Sequence, residues 1–548
     1  MHLKTRLAAA LLLAFAGIAQ PSIAAAPVAT STASAPIPAF ELDADVNQAL
    51  QTFGVPGMAI AIVKDGRVLA ARGYGVRRLG EATPVDGKTL FEVASNSKAF
   101  TAAALAMLVD EGRLNWEDRV TDHLPGFRMY DDYASGAMTV RDLLTHRSGL
   151  GLGAGDLLWW PTSTFSTDDI IHRLRYIKPA TTFRDSYAYD NLLYIAAGKI
   201  VADKAGKPWG EAVRERILAP LGMDGTVTSV AAMRASGNFA APHSKVDARQ
   251  TVVEPMLAEN AVGAVGIDTS AEDVARWMNL LLAGGKLADG RQLLRAERVR
   301  ELWTETTPMK ISEPPPALVA TRPNFAGYGL GFNLRDYQGR KLALHGGALQ
   351  GFYSRVVMVP DEKLGIAILT NAENSPAISA LQWRILDHYL HLPASDWIRL
   401  YAEDEARAHR EELARQGQVV AARAARSAPS LPLAAYDGQY RDRWYGEVAI
   451  RAQDGQHVLS FSRSPDLTGV LEHFQHDTFI VRWRARNFNA DAYVSFALNP
   501  DGSIERMKMA PVSSETDFSF DFADLDFKPV KPVKPVKPAL RNQAKAGG

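Results

Sequence analysis

The sequence predicts an α/β (α+β) protein with one antiparallel sheet built from the two ends of a domain at 40–393. A helical region is inserted between those ends, and a separate antiparallel β domain follows at 433–527. Three observations carry this expectation. Two hairpin signals lie almost three hundred residues apart, the stretch between them is mostly helical, and beyond Pro432 the pattern changes to short alternating strands.

The first residues read as an export signal at 1–26. His2, Lys4 and Arg6 precede the apolar run Leu7–Ala19, and Ser22-Ile23-Ala24 followed by Ala25-Ala26 offers small-residue cleavage options. The run is too short for a membrane span, so the expected location is exported, periplasmic or secreted, with no transmembrane segment after signal removal. A Ser/Thr/Ala/Pro-rich stretch at 27–39 is expected to be a flexible leader.

Within 40–393 a helix is predicted around Leu42–Phe53. Met58–Val63 and Val68–Ala71 flank Asp65-Gly66, a hairpin signal. Helical patterns follow at Lys98–Glu111, Val140–Thr145, Asp168–Tyr176, Leu192–Ala205, Trp209–Leu218 and Ala271–Ala283. The second strand pair, Tyr353–Val359 and Leu364–Leu369, turns through Pro360–Lys363. A charged, alanine-rich stretch at 394–432 reads as a helical linker. Residues 528–548 repeat Lys-Pro-Val and read as an extended tail without a core.

There is no cysteine, which excludes disulfides, thiolate metal sites and a cysteine nucleophile. The chain has 61 basic and 61 acidic residues, but the signal and tail hold only basic ones. The body between them therefore carries 53 basic against 61 acidic residues, a net of about −8. Such a body is not a nucleic-acid binder. No His-Glu-x-x-His or Gly-x-Ser-x-Gly motif is present, and the sequence calls for no cofactor and no metal.

The chemistry centres on Ser95-Asn96-Ser97-Lys98. Residues i and i+3 share a helix face, so a serine hydroxyl and a lysine amine sit within reach of each other. The apolar run from Ala99 to Leu108 supplies the burial that lowers a lysine pKa enough to take a serine proton. At average residue usage this pattern occurs about once by chance in a chain this long. Two further motifs give it meaning: Tyr189-Asp190-Asn191, and His345-Gly346-Gly347 ahead of the second strand pair.

Their order resembles that of the penicillin-recognising serine hydrolases, which include class C β-lactamases, D-Ala-D-Ala carboxypeptidases, D-aminopeptidases and related esterases. Thr139–Leu150 is similar to the family's LLTHTSGL segment, His345–Ser354 to its H-G-G…G-F-S segment, and Leu369-Thr370-Asn371 to the end of the next strand. The resemblance covers about 40–393 and implies a β-lactamase/transpeptidase-like fold. The region 433–527 resembles the small lipocalin-like β domain that some members carry. Its position over the cleft or beside it is left open by the sequence.

The resemblance implies that Ser95 forms an acyl-enzyme and that Lys98 and Tyr189 move its proton, with Tyr189 as phenolate stabilised by Lys98 and a cationic His345. Asn191 is expected to fix the substrate amide or steady Lys98, and His345 and Gly347 to bind substrate. The backbone N–H groups of Ser95 and Ala348 form the expected oxyanion hole. Outside these motifs, His146 is expected to anchor a loop, and Gly149, Gly151, Gly153 and Gly155 to give a flexible loop. Trp159 and Trp160 fit either a substrate entrance or packing.

Many β-lactamases carry Lys-Thr-Gly where this chain has His345-Gly346-Gly347. The difference removes a hydroxyl and a strong cation from the place where a substrate carboxylate is held. The expected partner is therefore a small ester, amide or D-amino-acid peptide. The rivals are a class C-like β-lactamase and a penicillin-binding sensor that acylates without turnover. The oligomeric state is not encoded in any recognisable pattern.

Overall fold

The computed structural model describes residues 39–530. The signal at 1–26, nearly all of the leader and the tail beyond Val530 lie outside the described residues. Helix α1 (Leu42–Phe53) opens the fold with Asp43 and Asp45 in its first turn, where acidic groups suit the positive end of the helix. It stops at Gly54, whose φ of 66° is cheap only without a Cβ.

Strands β1 (Gly57–Lys64) and β2 (Arg67–Gly75) form the first hairpin. The chain then enters the helical region through α2 (Ser97–Asp110), α3 (Leu192–Ala205) and α4 (Ala271–Leu282). It returns to the sheet as β3 (Thr307–Pro308), β4 (Ala326–Tyr328), β5 (Asn333–Tyr337), β6 (Arg340–Leu349), β7 (Phe352–Val359) and β8 (Leu364–Thr370). The eight strands lie in the order β2-β1-β8-β7-β6-β5-β4-β3, so β1 from the start pairs antiparallel with β8 from the end.

Strand alternation divides the core into two layers. Met58, Ile60 and Ile62 of β1 face one apolar cluster with α1 and with α5 (Ser375–Tyr389). Ala59, Ala61 and Val63 face the other, where α2 and α3 lie. Helix α2 is apolar on nearly every side and buried along most of its length, as a central helix must be.

One helical expectation is corrected. Val140–Thr145 holds only a 3-10 turn at Asp142–Leu144, where the Asp142 carboxylate gathers Thr139, Arg147 and Arg184 around itself. Trp209–Leu218 is helical as expected, α over Trp209–Val213 and then widened into a π turn.

The segment read as a linker contains α6 (Trp397–Ala422), and it packs on α5 through buried Trp397 and Ile398. Its outer turns are polar and held by pairs such as Arg399–Glu403 and Arg407–Glu411. Near its far end, Glu412 accepts from Ser513 and Ser514 of the C-terminal domain.

That domain consists of β9 (Gly438–Arg441), β10 (Glu447–Gln453), β11 (Gln456–Phe461), β12 (Thr468–Gln475), β13 (Thr478–Trp483), β14 (Ala492–Leu498), β15 (Ile504–Pro511) and β16 (Lys528–Pro529). They form one antiparallel sheet in the order β15-β14-β13-β12-β11-β10-β9-β16. Phe527 bridges to Met507 of β15 while β16 pairs with β9, so the sheet curls to near closure. Lys528 and Pro529, assigned above to the tail, thus belong to this sheet, because their pairing with Arg441 and Tyr440 joins its two edges. Among the described residues no helix is long and apolar enough to cross a membrane.

Candidate active site

Ser95 lies on a 3-10 turn, Ala94–Asn96, that leads directly into α2. Ala94 takes a φ of 50°, a strained conformation for a residue with a Cβ, and this sharp entry leaves Ser95 at the rim of the buried layer. Lys98 is fully enclosed. Its Nζ lies 3.0 Å from Ser95 Oγ, 2.7 Å from Asn191 Oδ1 and 3.4 Å from the Ala264 carbonyl. Burial pushes its pKa down to about 7, against the pull of the Asp156 and Asp190 carboxylates. A lysine poised there alternates between an ammonium and a free amine at neutral pH.

Lys98 Nζ lies 4.8 Å from the centre of the Tyr189 ring. Burial pushes the Tyr189 pKa well above that of an ordinary phenol, although Ser95 draws it downward. The resting site thus holds a neutral phenol, which corrects the expected phenolate.

The expected cation at His345 is corrected as well. Its Nδ1 donates to the Gly346 carbonyl at 2.6 Å, and its Nε2 accepts from the Tyr328 hydroxyl at 3.0 Å. Burial, with Lys98 nearby, pushes its pKa down to about 3, so the ring is neutral and Nε2 is left as the acceptor. Asn191 spends its amide on Lys98 and on Asp156, which lies 2.8 Å from its Nδ2, and both residues are buried. Of its two expected roles the geometry displays the second, holding Lys98.

Gly347 has a steric role. A Cβ there would stand 2.0 Å from the Val93 carbonyl and 2.6 Å from Ser354 Oγ, so glycine lets β6 lie against the turn that carries Ser95. Ser354 Oγ fastens that approach by donating to Val93 O and accepting from Asn96 Nδ2, each at 2.8 Å. Ala348 is exposed beyond the part of β6 that pairs with β5. It sits opposite Tyr353, one step from Leu349 and Phe352, which close the two-residue turn at Gln350-Gly351. Alternation along an antiparallel ladder then turns the Ala348 N–H outward, toward the open edge.

His146 anchors its loop. Its Nδ1 accepts from the Asp190 N–H at 3.2 Å, and its ring lies 4.3 Å from that of Tyr189. Trp159 and Trp160 are both buried and serve packing; Trp159 Nε1 also donates to Asp156 Oδ1 at 2.8 Å.

The C-terminal domain reaches into this site, which settles the open question of its position. Phe518 lies against Tyr189 and fills the space over Gly153. Ser519 Oγ donates to Asp156 Oδ2 at 2.9 Å, and Asp521 Oδ2 accepts from the Gly155 N–H at 2.6 Å. The glycine loop is therefore a landing surface for the second domain. Asp156, Ser519 and Phe518 belong to no motif, and no local signal in the sequence marks them. Among the described residues no three His, Cys, Asp or Glu side chains are grouped as metal ligands.

A serine on a sharp turn, a buried amine beside it and an outward-facing strand edge are the groups that a serine hydrolase site requires. The sequence pattern of the beta-lactamase family matches residues 42–390, and the chain belongs to that family as a serine hydrolase. Residues 422–529 match a second family described as a domain of unknown function, DUF3471.

Among curated relatives, the Unguisins hydrolase ungD' of Aspergillus campestris is 29% identical over 482 residues, covering 84% of this chain and 86% of that protein. Protein flp of Staphylococcus aureus strain MW2 is 23% identical, covering 66% of this chain and 70% of its own. Two solved structures share the fold. The octameric penicillin-binding protein homologue from Pyrococcus abyssi has a TM-score of 0.57 at 20% identity, covering 89% of this chain and 99% of that one. The D-amino acid amidase from Ochrobactrum anthropi SV3 has a TM-score of 0.52 at 21% identity, covering 64% and 99%.

Proposed function

We propose that the chain hydrolyses small amides or esters, D-amino-acid peptides among them, through an acyl-enzyme on Ser95. The observation that carries this reading is the fully enclosed Lys98 amine 3.0 Å from Ser95 Oγ. In its unprotonated form Lys98 takes the Ser95 proton as Oγ attacks the carbonyl carbon. The N–H groups of Ser95 and Ala348 receive the oxyanion. Tyr189, protonated at rest, gives its proton to the leaving amine or alcohol and recovers one from Lys98. In the second half, water attacks the acyl carbon and loses a proton to the same pair, and Ser95 is released.

The substrate class follows from the charges around the serine. Neutral His345 offers no charge to pair with a substrate carboxylate. This favours substrates without a carboxylate at that position over β-lactams, whose ring carboxylate is best held by charge-assisted bonds. The name of the D-amino acid amidase, which shares the fold, supports an amide bond as the scissile bond, and the name of the unguisins hydrolase supports hydrolysis. We also propose export through the segment at 1–26, which N-terminal sequencing of the mature protein tests.

The deciding experiment is a panel of nitrophenyl esters, D-amino-acid amides, D-Ala-D-Ala peptides and a chromogenic cephalosporin, run beside Ser95→Ala. Turnover of esters or amides that disappears in Ser95→Ala is the expected result. Activity that survives Ser95→Ala overturns the mechanism. Faster turnover of the cephalosporin overturns the substrate class, and a stable adduct without turnover overturns hydrolysis.

A further inference from the structure

Asp156 takes part in none of these steps, yet it is fully buried within the site. Its Oδ1 accepts from Trp159 Nε1, and its Oδ2 accepts from Asn191 Nδ2 and Ser519 Oγ. Asp156 Oδ2 accepts from Asn191, so the end of the Asn191 amide turned toward it is the NH2 end. The carbonyl end is thereby turned toward Lys98, where it accepts from Nζ at 2.7 Å. The two ends of an amide are nearly equal in shape, and the neighbour decides which one the lysine meets. Reversed, the amide would confront the ammonium with another donor and remove one of the contacts that hold Nζ toward Ser95.

Ser519 comes from the second domain, 363 residues along the chain from Asp156. It is carried by the segment joining β15 to β16, which is pinned on one side by Phe518 beside Tyr189 and on the other by Asp521 at Gly155.

We propose that Asp156 and Ser519 are positioning residues for the reaction, Asp156 orienting Asn191 so that its carbonyl holds Lys98 against Ser95, and Ser519 keeping Asp156 in place. The C-terminal domain is then a working part of the catalytic centre. This rests on Lys98 as the base.

The electrostatics supply a readout that packing alone would not move. Asp156 favours the ammonium form of Lys98, and burial pushes Asp156 itself up to about 7, so the two titrate as a pair near neutrality. Asp156→Asn keeps the shape and removes the charge, which lowers the Lys98 pKa. Ser519→Ala removes a donor to the carboxylate, raises the Asp156 pKa and weakens the same attraction, so it acts in the same direction by less.

The test measures kcat/KM for 4-nitrophenyl acetate against pH, using the full chain and its Asp156→Asn, Ser519→Ala, Ser519→Thr and Lys98→Ala variants. Thermal unfolding checks that each is folded. The ascending limb reports the base of the free enzyme. It is expected to move to lower pH by about one unit in Asp156→Asn, and by less in Ser519→Ala. Ser519→Thr keeps the hydroxyl and is expected to keep the limb. An unmoved limb in folded Ser519→Ala and Asp156→Asn, with Lys98→Ala inactive, overturns the positioning role and leaves the base intact. A Lys98→Ala enzyme that retains the wild-type limb overturns the base itself.

Discussion

Phe518 meets Tyr189 edge-on, with ring centroids 6.1 Å apart and planes at 84°. One ring belongs to the segment between the last strands of the C-terminal domain and the other to the hydrolytic site. Phe518 is 42% exposed, so it is a wall of the cleft more than a piece of the core. Edge-to-face pairs contribute about 0.5–1.5 kcal/mol, little enough that their loss leaves the fold intact.

Phe518→Ala is accordingly expected to widen the site. The ratio of kcat/KM for a bulky aromatic-acyl nitrophenyl ester to that for the acetyl ester should rise by roughly tenfold, the scale of about 1.4 kcal/mol. A ratio within a factor of two of wild type would remove Phe518 as a determinant of substrate size.

Lys98→Ala is expected to lower kcat/KM by about 10²–10⁴, the range for removing a positioned proton acceptor. Wild-type kcat/KM should rise with pH through about 7, because the amine acts only when unprotonated. His345→Gln should show the same limb, since His345 is neutral well above its folded pKa of about 3.

The same lysine makes stability depend on pH. Its folded pKa of about 7 lies below the ordinary lysine value of 10.5, so between those values the unfolded chain binds more protons than the folded one. Stability therefore rises with pH across that window, by at most about 1.4 kcal/mol per pH unit from this group. Lys98→Met lacks the term. Its gain in Tm over wild type should be larger at pH 7 than at pH 10, and a constant gain would contradict the sign.

Gly347→Ala places a methyl group where the Val93 carbonyl stands 2.0 Å away. Strand β6 must retreat from the Ser95 turn, at a cost of about 1–3 kcal/mol in stability, measurable by denaturant unfolding. Turnover should fall at least tenfold, because the Ala348 N–H moves with the strand. Unchanged turnover would separate β6 from the oxyanion hole.

The parts legible in the sequence are those set by local rules. Leu42–Phe53 and Leu192–Ala205 are helices with the expected bounds because each ends on a glycine in the left-handed region, Gly54 and Gly206. Ser95 and Lys98 meet because a helical turn brings i and i+3 together, and the Tyr189 and His345 motifs lead to the same cleft. The charge states were not legible. His345 is neutral because it is buried and lies near Lys98, 247 positions away in sequence, which no local spacing reveals. Asp156 and Ser519 have no spacing to betray them, since their contact exists only after two domains dock. The same docking explains why Trp159 and Trp160 are packing residues: Trp160 lies 6.0 Å from Phe520 of the second domain.

The hydrogen bond from Ser519 to Asp156 also imposes an order in time. Synthesis runs from the amino end, so Ser95, Lys98, Tyr189 and His345 all leave the ribosome well before residue 519 exists. The serine is thus made long before the last group that braces its lysine. A chain interrupted after the first domain would carry every motif of a hydrolase without that brace, and full activity would become a property of the finished polypeptide alone.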